Sequence, residues 1–195
     1  PGRLAGEPLQ NLTAHATFSG STVNLEKVDA NFNDGHVTAS GKYDTATKAF
    51  EVAASADRVS LARLEAFADR PSLPKLTGIA VIRNLTAKGI RSDVSTYEIN
   101  VDAESTNVTL AGHPAGVVKL FGETANKHLN VTFTMTGLLG PKSQVATASV
   151  DLSNEKLPAK VDATITDADM TQVFNVLVPD SDGAITGSAT GTLAL

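Results

Sequence analysis

The chain repeats itself. At a constant offset of 109 residues (161 − 52), Val52 matches Val161, Ala54 matches Ala163, Leu61 matches Met170 and Leu64 matches Val173. Leu76-Thr77-Gly78 then matches Ile185-Thr186-Gly187, and Ala80 matches Ala189, with no gap anywhere. Each copy reads as an alternating strand, a short apolar-periodic helix closed by proline, and a strand opened by apolar-Thr-Gly. Self-similarity at a fixed offset points to a repeat architecture.

Outside the two copies the chain keeps alternating. Leu12, Ala14, Ala16 and Phe18 interleave with Thr13, His15, Thr17 and Ser19, the period-two pattern of a half-buried strand. Val23–Leu25 with Val28–Phe32, Val37–Tyr43, Phe50–Ala56, Tyr97–Ala103, Val118–Leu120, Leu129–Met135 and Ala146–Leu152 read the same way. Between them Asn33-Asp34-Gly35, Asp44–Lys48, Gly112-His113-Pro114, Gly137–Pro141 and Ser153-Asn154 supply turns and breaks. Ser60 is placed to cap a helix with Leu61, Leu64 and Phe67 on one face, ended by Pro71 and Pro74. Asp169 and Gln172 have capping-box spacing before Met170, Val173 and Val176, and Pro179 ends that second helix. Helices this short are marginal alone and must dock on something apolar.

Composition narrows the function classes. A net charge of −5 argues against nucleic acid, whose affinity rests on Lys and Arg neutralising phosphates. Zero cysteines exclude disulfides and thiolate metal sites. No run approaches the roughly 18 apolar residues of a membrane helix, and no signal peptide is visible. The chain begins at Pro1-Gly2 and stops inside an alternating pattern, so it is expected to be a fragment of a longer protein.

Nothing in the sequence carries catalysis. His15, His36, His113 and His128 are scattered singly, without ligand spacing, and no metal site or cofactor is expected. Asp180-Ser181-Asp182-Gly183 lacks the acidic residue that closes a calcium loop. No nucleophile elbow, P-loop or dinucleotide fingerprint occurs. Asn11, Asn84, Asn107 and Asn130 each head an N-x-T triplet, which a Thr-rich β protein produces by chance. No catalytic residue is assigned, and enzyme function is unsupported.

The strand faces remain. Aromatics are only 5% of the chain, and small residues such as Ala14, Ala39, Ala54, Ala103 and Ala148 occupy apolar-face positions. Two arrangements fit: a sandwich whose sheets bury these faces against each other, or one sheet bent into a trough with an open apolar groove, suited to acyl chains.

The segments "FEVAASADRVSLARLEAF…LPKLTGIAVIRNLTAKG" and "KVDATITDADMTQVFNVLVP…AITGSATGTLAL", with "NFNDGHVTASGKYD" upstream, resemble the repeats of the AsmA-like superfamily, which includes TamB. The resemblance is strongest over residues 25–89 and 145–195. It implies an all-β, many-stranded antiparallel repeat sheet curved into a β-taco groove with two short helices. Residues 1–195 would form a single segment with repeat-like halves at about 25–89 and 134–195. It further implies a periplasmic protein of diderm bacteria, its parent chain anchored in the inner membrane. Such a protein would conduct phospholipid or another acyl-chain lipid towards the outer membrane, with a part in outer-membrane assembly and an outer-membrane β-barrel protein as partner. The family has no catalytic residues to carry over. On this reading Phe18, Phe32, Val52, Ile99, Val101, Val131, Phe133 and Ile165 are the expected groove lining, with strands of about six residues forming walls near 20 Å. The alternative is a closed β-sandwich or solenoid module of a surface adhesin or assembly scaffold that binds protein through strand edges.

Overall fold

The computed structural model describes residues 2–4, 7–32, 35–62, 76–110, 112–137, 139–172 and 186–194. These form twelve strands in one curved, unclosed antiparallel sheet whose spatial order equals the chain order. The strands are β1 (Gly2–Leu4), β2 (Glu7–Ser19), β3 (Thr22–Phe32), β4 (Gly35–Asp44), β5 (Ala49–Ser60) and β6 (Leu76–Ile90). They continue as β7 (Asp93–Leu110), β8 (His113–Ala125), β9 (His128–Gly137), β10 (Ser143–Asp151), β11 (Ala159–Asp169) and β12 (Ser188–Ala194). The all-β repeat sheet expected from the alternation is therefore present, as one sheet and not as two facing ones.

Strict up-and-down order gives the sheet two rims. Connections after β2, β4, β6, β8 and β10 lie on one, here the turn rim; those after the odd-numbered strands lie on the other. Turn-rim connections are tight: the pairs Ser19↔Thr22, Ile90↔Asp93 and Ala125↔His128 each bracket two residues. Asn126 and Lys127 both hold positive φ (51° and 62°), which matches the right-handed twist of the flanking strands.

The opposite rim is bulged. Asn11, Arg58, Asn107 and Asp167 are left-handed (φ 52°, 56°, 52° and 47°), each at a register shift in β2, β5, β7 or β11. A residue inserted this way bends the strand and raises its twist. Of the buried apolar residues among those described, Ala30, Ala56, Val59, Ala80, Val108, Ala115 and Ala168 lie towards this rim and Leu152 at the other. Leu61, Leu76, Val118, Met135 and Leu139 pack against Val108 and Ala115, so what core the sheet has is a strip along its bulged edge.

The 109-residue repeat is real in three dimensions. The pairs Ala56↔Ile82, Val59↔Ala80 and Ser60↔Ile79 in β5–β6 recur as Ile165↔Gly191, Ala168↔Ala189 and Asp169↔Ser188 in β11–β12. Gly78 and Gly187 share positive φ (141° and 125°). The register departs at Ala54↔Leu85, whose counterpart is Ala163↔Leu193, because β6 carries an extra residue after Ile82.

Three expectations change. Strands are far longer than about six residues: β9 has 10, β8 has 13 and β7 has 18, so β9 and β8 rise about 33 and 43 Å instead of 20. Asp93–Leu110 is one strand, because the left-handed Asn107 lets the ladder resume after a bulge where alternation alone shows a break. His113 and Pro114 open β8 and do not merely interrupt it, since Pro114 sits at an irregular point of the β7 ladder. Of the two expected helices, residues 61–62 and 170–172 are helical, and the rest of both lies outside the described residues. Asp169 does cap the second: its Oδ1 accepts the Thr171 N–H at 2.9 Å.

Candidate functional site: one apolar sheet face

Antiparallel partners point to the same side of a sheet, so the register fixes which residues share a face. One row crosses ten consecutive strands, β2 to β11, as Ala14, Val28, Ala39, Ala54, Leu85, Val101, Gly122, Val131, Ala148 and Val161. The next row crosses β3 to β12 as Ala30, Val37, Ala56, Ile82, Ala103, Leu120, Phe133, Ala146, Ala163 and Leu193. Neither row contains a polar side chain.

Seven of the eight residues named from sequence share this face. Val101 and Val131 stand in the first row and Phe133 in the second. Val52 pairs with Gly41 and Ala87, and Ala87 pairs with Ile99. Ile165 pairs with Gly191, and Phe18 with Val23. Phe32 holds the backbone position opposite Gly35 and Leu9; its side chain lies outside the described residues.

Several large side chains of the face are exposed. Phe18 is 77% exposed, Leu193 52%, Phe133 41% and Val52 40%, values foreign to a core. Twelve strands about 4.8 Å apart make it about 50 Å wide. At the turn rim it dips into a concavity of ≈ 470 Å³ lined by Val23, Leu25, Gly41, Tyr43, Phe50 and Val52, with Lys42 and Arg91 at its margin.

The other face is polar and cross-linked. Lys88 Nζ meets Glu98 Oε2 at 2.8 Å. Arg83 bridges Glu104 and Asp102, and these hydrogen bonds raise the guanidinium above its usual pKa. Asn84 donates to Asn100 Oδ1 at 2.6 Å, and hydroxyl pairs join Thr38 to Ser55 and Thr77 to Thr109. Ile79, Phe121 and Val145 interrupt its polarity. Exposed pairs of this kind contribute little stability each.

The histidines serve local contacts: His15 Nδ1 lies 2.7 Å from Glu26, His36 Nδ1 3.2 Å from Asn31 Oδ1, and His128 Nδ1 3.0 Å from the Asn126 carbonyl. The side chain of His113 and the segment Asp180–Gly183 lie outside the described residues. Two of the N-x-T asparagines, dismissed from sequence as chance, are the left-handed bulge residues Asn11 and Asn107, a conformation that asparagine tolerates better than most residues.

Comparison with protein-family models, with curated proteins and with solved structures finds no match. The register, the exposure of the apolar face and the chemistry of its margins therefore carry the functional argument.

Sequence reasoning missed the lining of the concavity. Phe50 and Tyr43 have the same parity as Val52 and Gly41, so extending the alternation would have named them. Arg91 had no such signal, since a turn residue gains a position only from the strands that hold it.

Proposed function

We propose that this chain is a section of a passive lipid conduit of the AsmA-like, TamB-containing kind, working in the periplasm between inner and outer membranes. The observation that carries the reading is the pair of unbroken apolar rows, each crossing ten strands, on a face that is mostly half-buried and open at Phe133 and Leu193. Acyl chains of phospholipid would lie against that face, exchanging water for apolar wall at about 0.8 kcal/mol per methylene, while headgroups remain in solvent. Small residues along the rows keep the wall shallow enough for a chain to slide, and the apolar strip offers no fixed polar contact to hold it at one point. A part in outer-membrane assembly, with an outer-membrane β-barrel protein as partner, belongs to the same reading.

The test is native mass spectrometry of the purified protein, followed by solvent extraction and lipid analysis. Co-purifying phospholipid is expected, reduced by Phe133→Asp or Ile99→Asp and retained in Thr134→Asp, whose residue lies on the opposite face beside Val145. A lipid-free protein that takes up none on incubation would overturn the conduit. The free edges of β1 and β12 and the polar face would then be its binding surfaces, as in a scaffold.

A further inference from the structure

At one corner of the turn rim the apolar face forms a hollow that two cationic side chains, Lys42 and Arg91, help to line. The ≈ 470 Å³ concavity is lined by Val23, Leu25, Tyr43, Phe50 and Val52, together with Lys42 and Arg91. The backbone holding Arg91 is fixed: its N–H donates to the Lys48 carbonyl at 3.0 Å, and its own carbonyl accepts from Tyr97 Oη at 3.3 Å. Among the described residues its guanidinium has no ion pair or hydrogen bond.

The acids of the two adjoining turns are already engaged. Asp44 accepts from the Ala46 and Thr47 N–H groups and from the Ser21 and Thr22 hydroxyls. Asp93 accepts from the Ser95 N–H and hydroxyl. Arg91 is, like Lys42, a cation at an apolar hollow with no carboxylate joined to it among the described residues. An unpaired guanidinium presents several donors in a planar fork suited to phosphate oxygens.

We infer that this corner selects phospholipids of net negative charge: the hollow takes the acyl segment next to the glycerol, and Arg91 meets a headgroup phosphate whose charge no headgroup cation offsets. The inference rests on the lipid-conduit reading and adds to it a site and a preference.

The experiment is native mass spectrometry of the whole chain mixed with equimolar phosphatidylglycerol and phosphatidylcholine of identical acyl chains, at low salt. The unmodified chain is expected to hold the anionic lipid in about 1.5- to 5-fold excess, the range of one exposed ion pair. Arg91→Gln should lower the ratio towards one with total bound lipid unchanged. Lys119→Gln, which removes a charge from the polar face, should leave the ratio alone. Equal loading of the two lipids in the unmodified chain overturns the inference, as does a preference that survives Arg91→Gln undiminished or falls equally in Lys119→Gln. Total lipid and lipid ratio are read separately, so loss of all binding sinks the conduit itself, whereas a flat ratio with lipid bound sinks only the Arg91 site.

Discussion

The rings of Phe50 and Tyr97 meet edge to face across a strand that lies between them, with centroids 5.3 Å apart and planes at 89°. Phe50 is on β5, Tyr97 on β7, and the intervening β6 position is Gly89, Phe50's register partner. A Cβ there would lie 2.7 Å from Tyr97 Cδ1 and 3.1 Å from Thr96 Oγ1. The missing side chain lets two aromatics close over the sheet at the mouth of the apolar hollow.

Gly89→Ala should therefore push the Tyr97 ring off Phe50 and destabilise the protein by about 1–3 kcal/mol, the usual cost of overpacking. Chemical denaturation measures it. A double-mutant cycle on Phe50→Leu and Tyr97→Leu should return a coupling of about 0.5–1.5 kcal/mol; additive effects would mean that the rings do not hold each other.

Arg58 and Asp167 are equivalent across the repeat and both left-handed. A side chain in that conformation costs about 1–2 kcal/mol that glycine escapes. Arg58→Gly and Asp167→Gly should each leave stability equal or higher, and Arg58→Val and Asp167→Val should each lower it. Opposite signs at the two sites, in thermal or urea unfolding, would show that the bulges are not equivalent.

Gln144 is 8% exposed and completes the β11 bulge. Its Oε1 accepts the Thr166 N–H at 2.7 Å, and its Nε2 donates to the Thr166 and Lys142 carbonyls at 3.0 and 3.2 Å. The amide replaces the ladder partner that the bulge removes from Thr166. Gln144→Leu should cost about 1–3 kcal/mol, the penalty of an unsatisfied buried group, with amide exchange accelerating at Thr166. Unchanged exchange there would mean that water serves as well.

Asp44 lies at about 2, below its ordinary 3.8, because the Thr47 N–H, the Ser21 hydroxyl and the Ala46 N–H favour its ionised form. A depressed folded-state pKa adds stability above the unfolded value and loses it as pH falls. That contribution is full above about pH 4 and disappears by about pH 2. Asp151 is shifted the same way by the Ser153 hydroxyl and N–H. An acid titration of stability should thus be flatter between pH 4 and 2 in Asp44→Asn than in the unmodified chain; parallel curves would remove the turn from the acid response.

Sequence alone determined the alternation, the repeat and the apolar face. Period-two patterning is local, and each strand's own residues state which side is apolar, so the seven proposed lining residues whose side chains are described fell on one face. The 109-residue offset likewise survived into shared strand pairs, Val59↔Ala80 and Ala168↔Ala189 among them. Only the tertiary structure decided strand length, register and openness. Asn107 breaks the alternation on paper, yet it continues the strand, because partners on either side restore the ladder after the bulge. Whether a second sheet would cover the apolar face could not be read from residues whose pattern is the same in a sandwich and a trough. The strand order settled it: the described strands form a single meander in which each pairs only with its chain neighbours. Arg91 acquired its position in the same way: its place beside the hollow is set by Lys48 and Tyr97, which the chain brings to it only by folding.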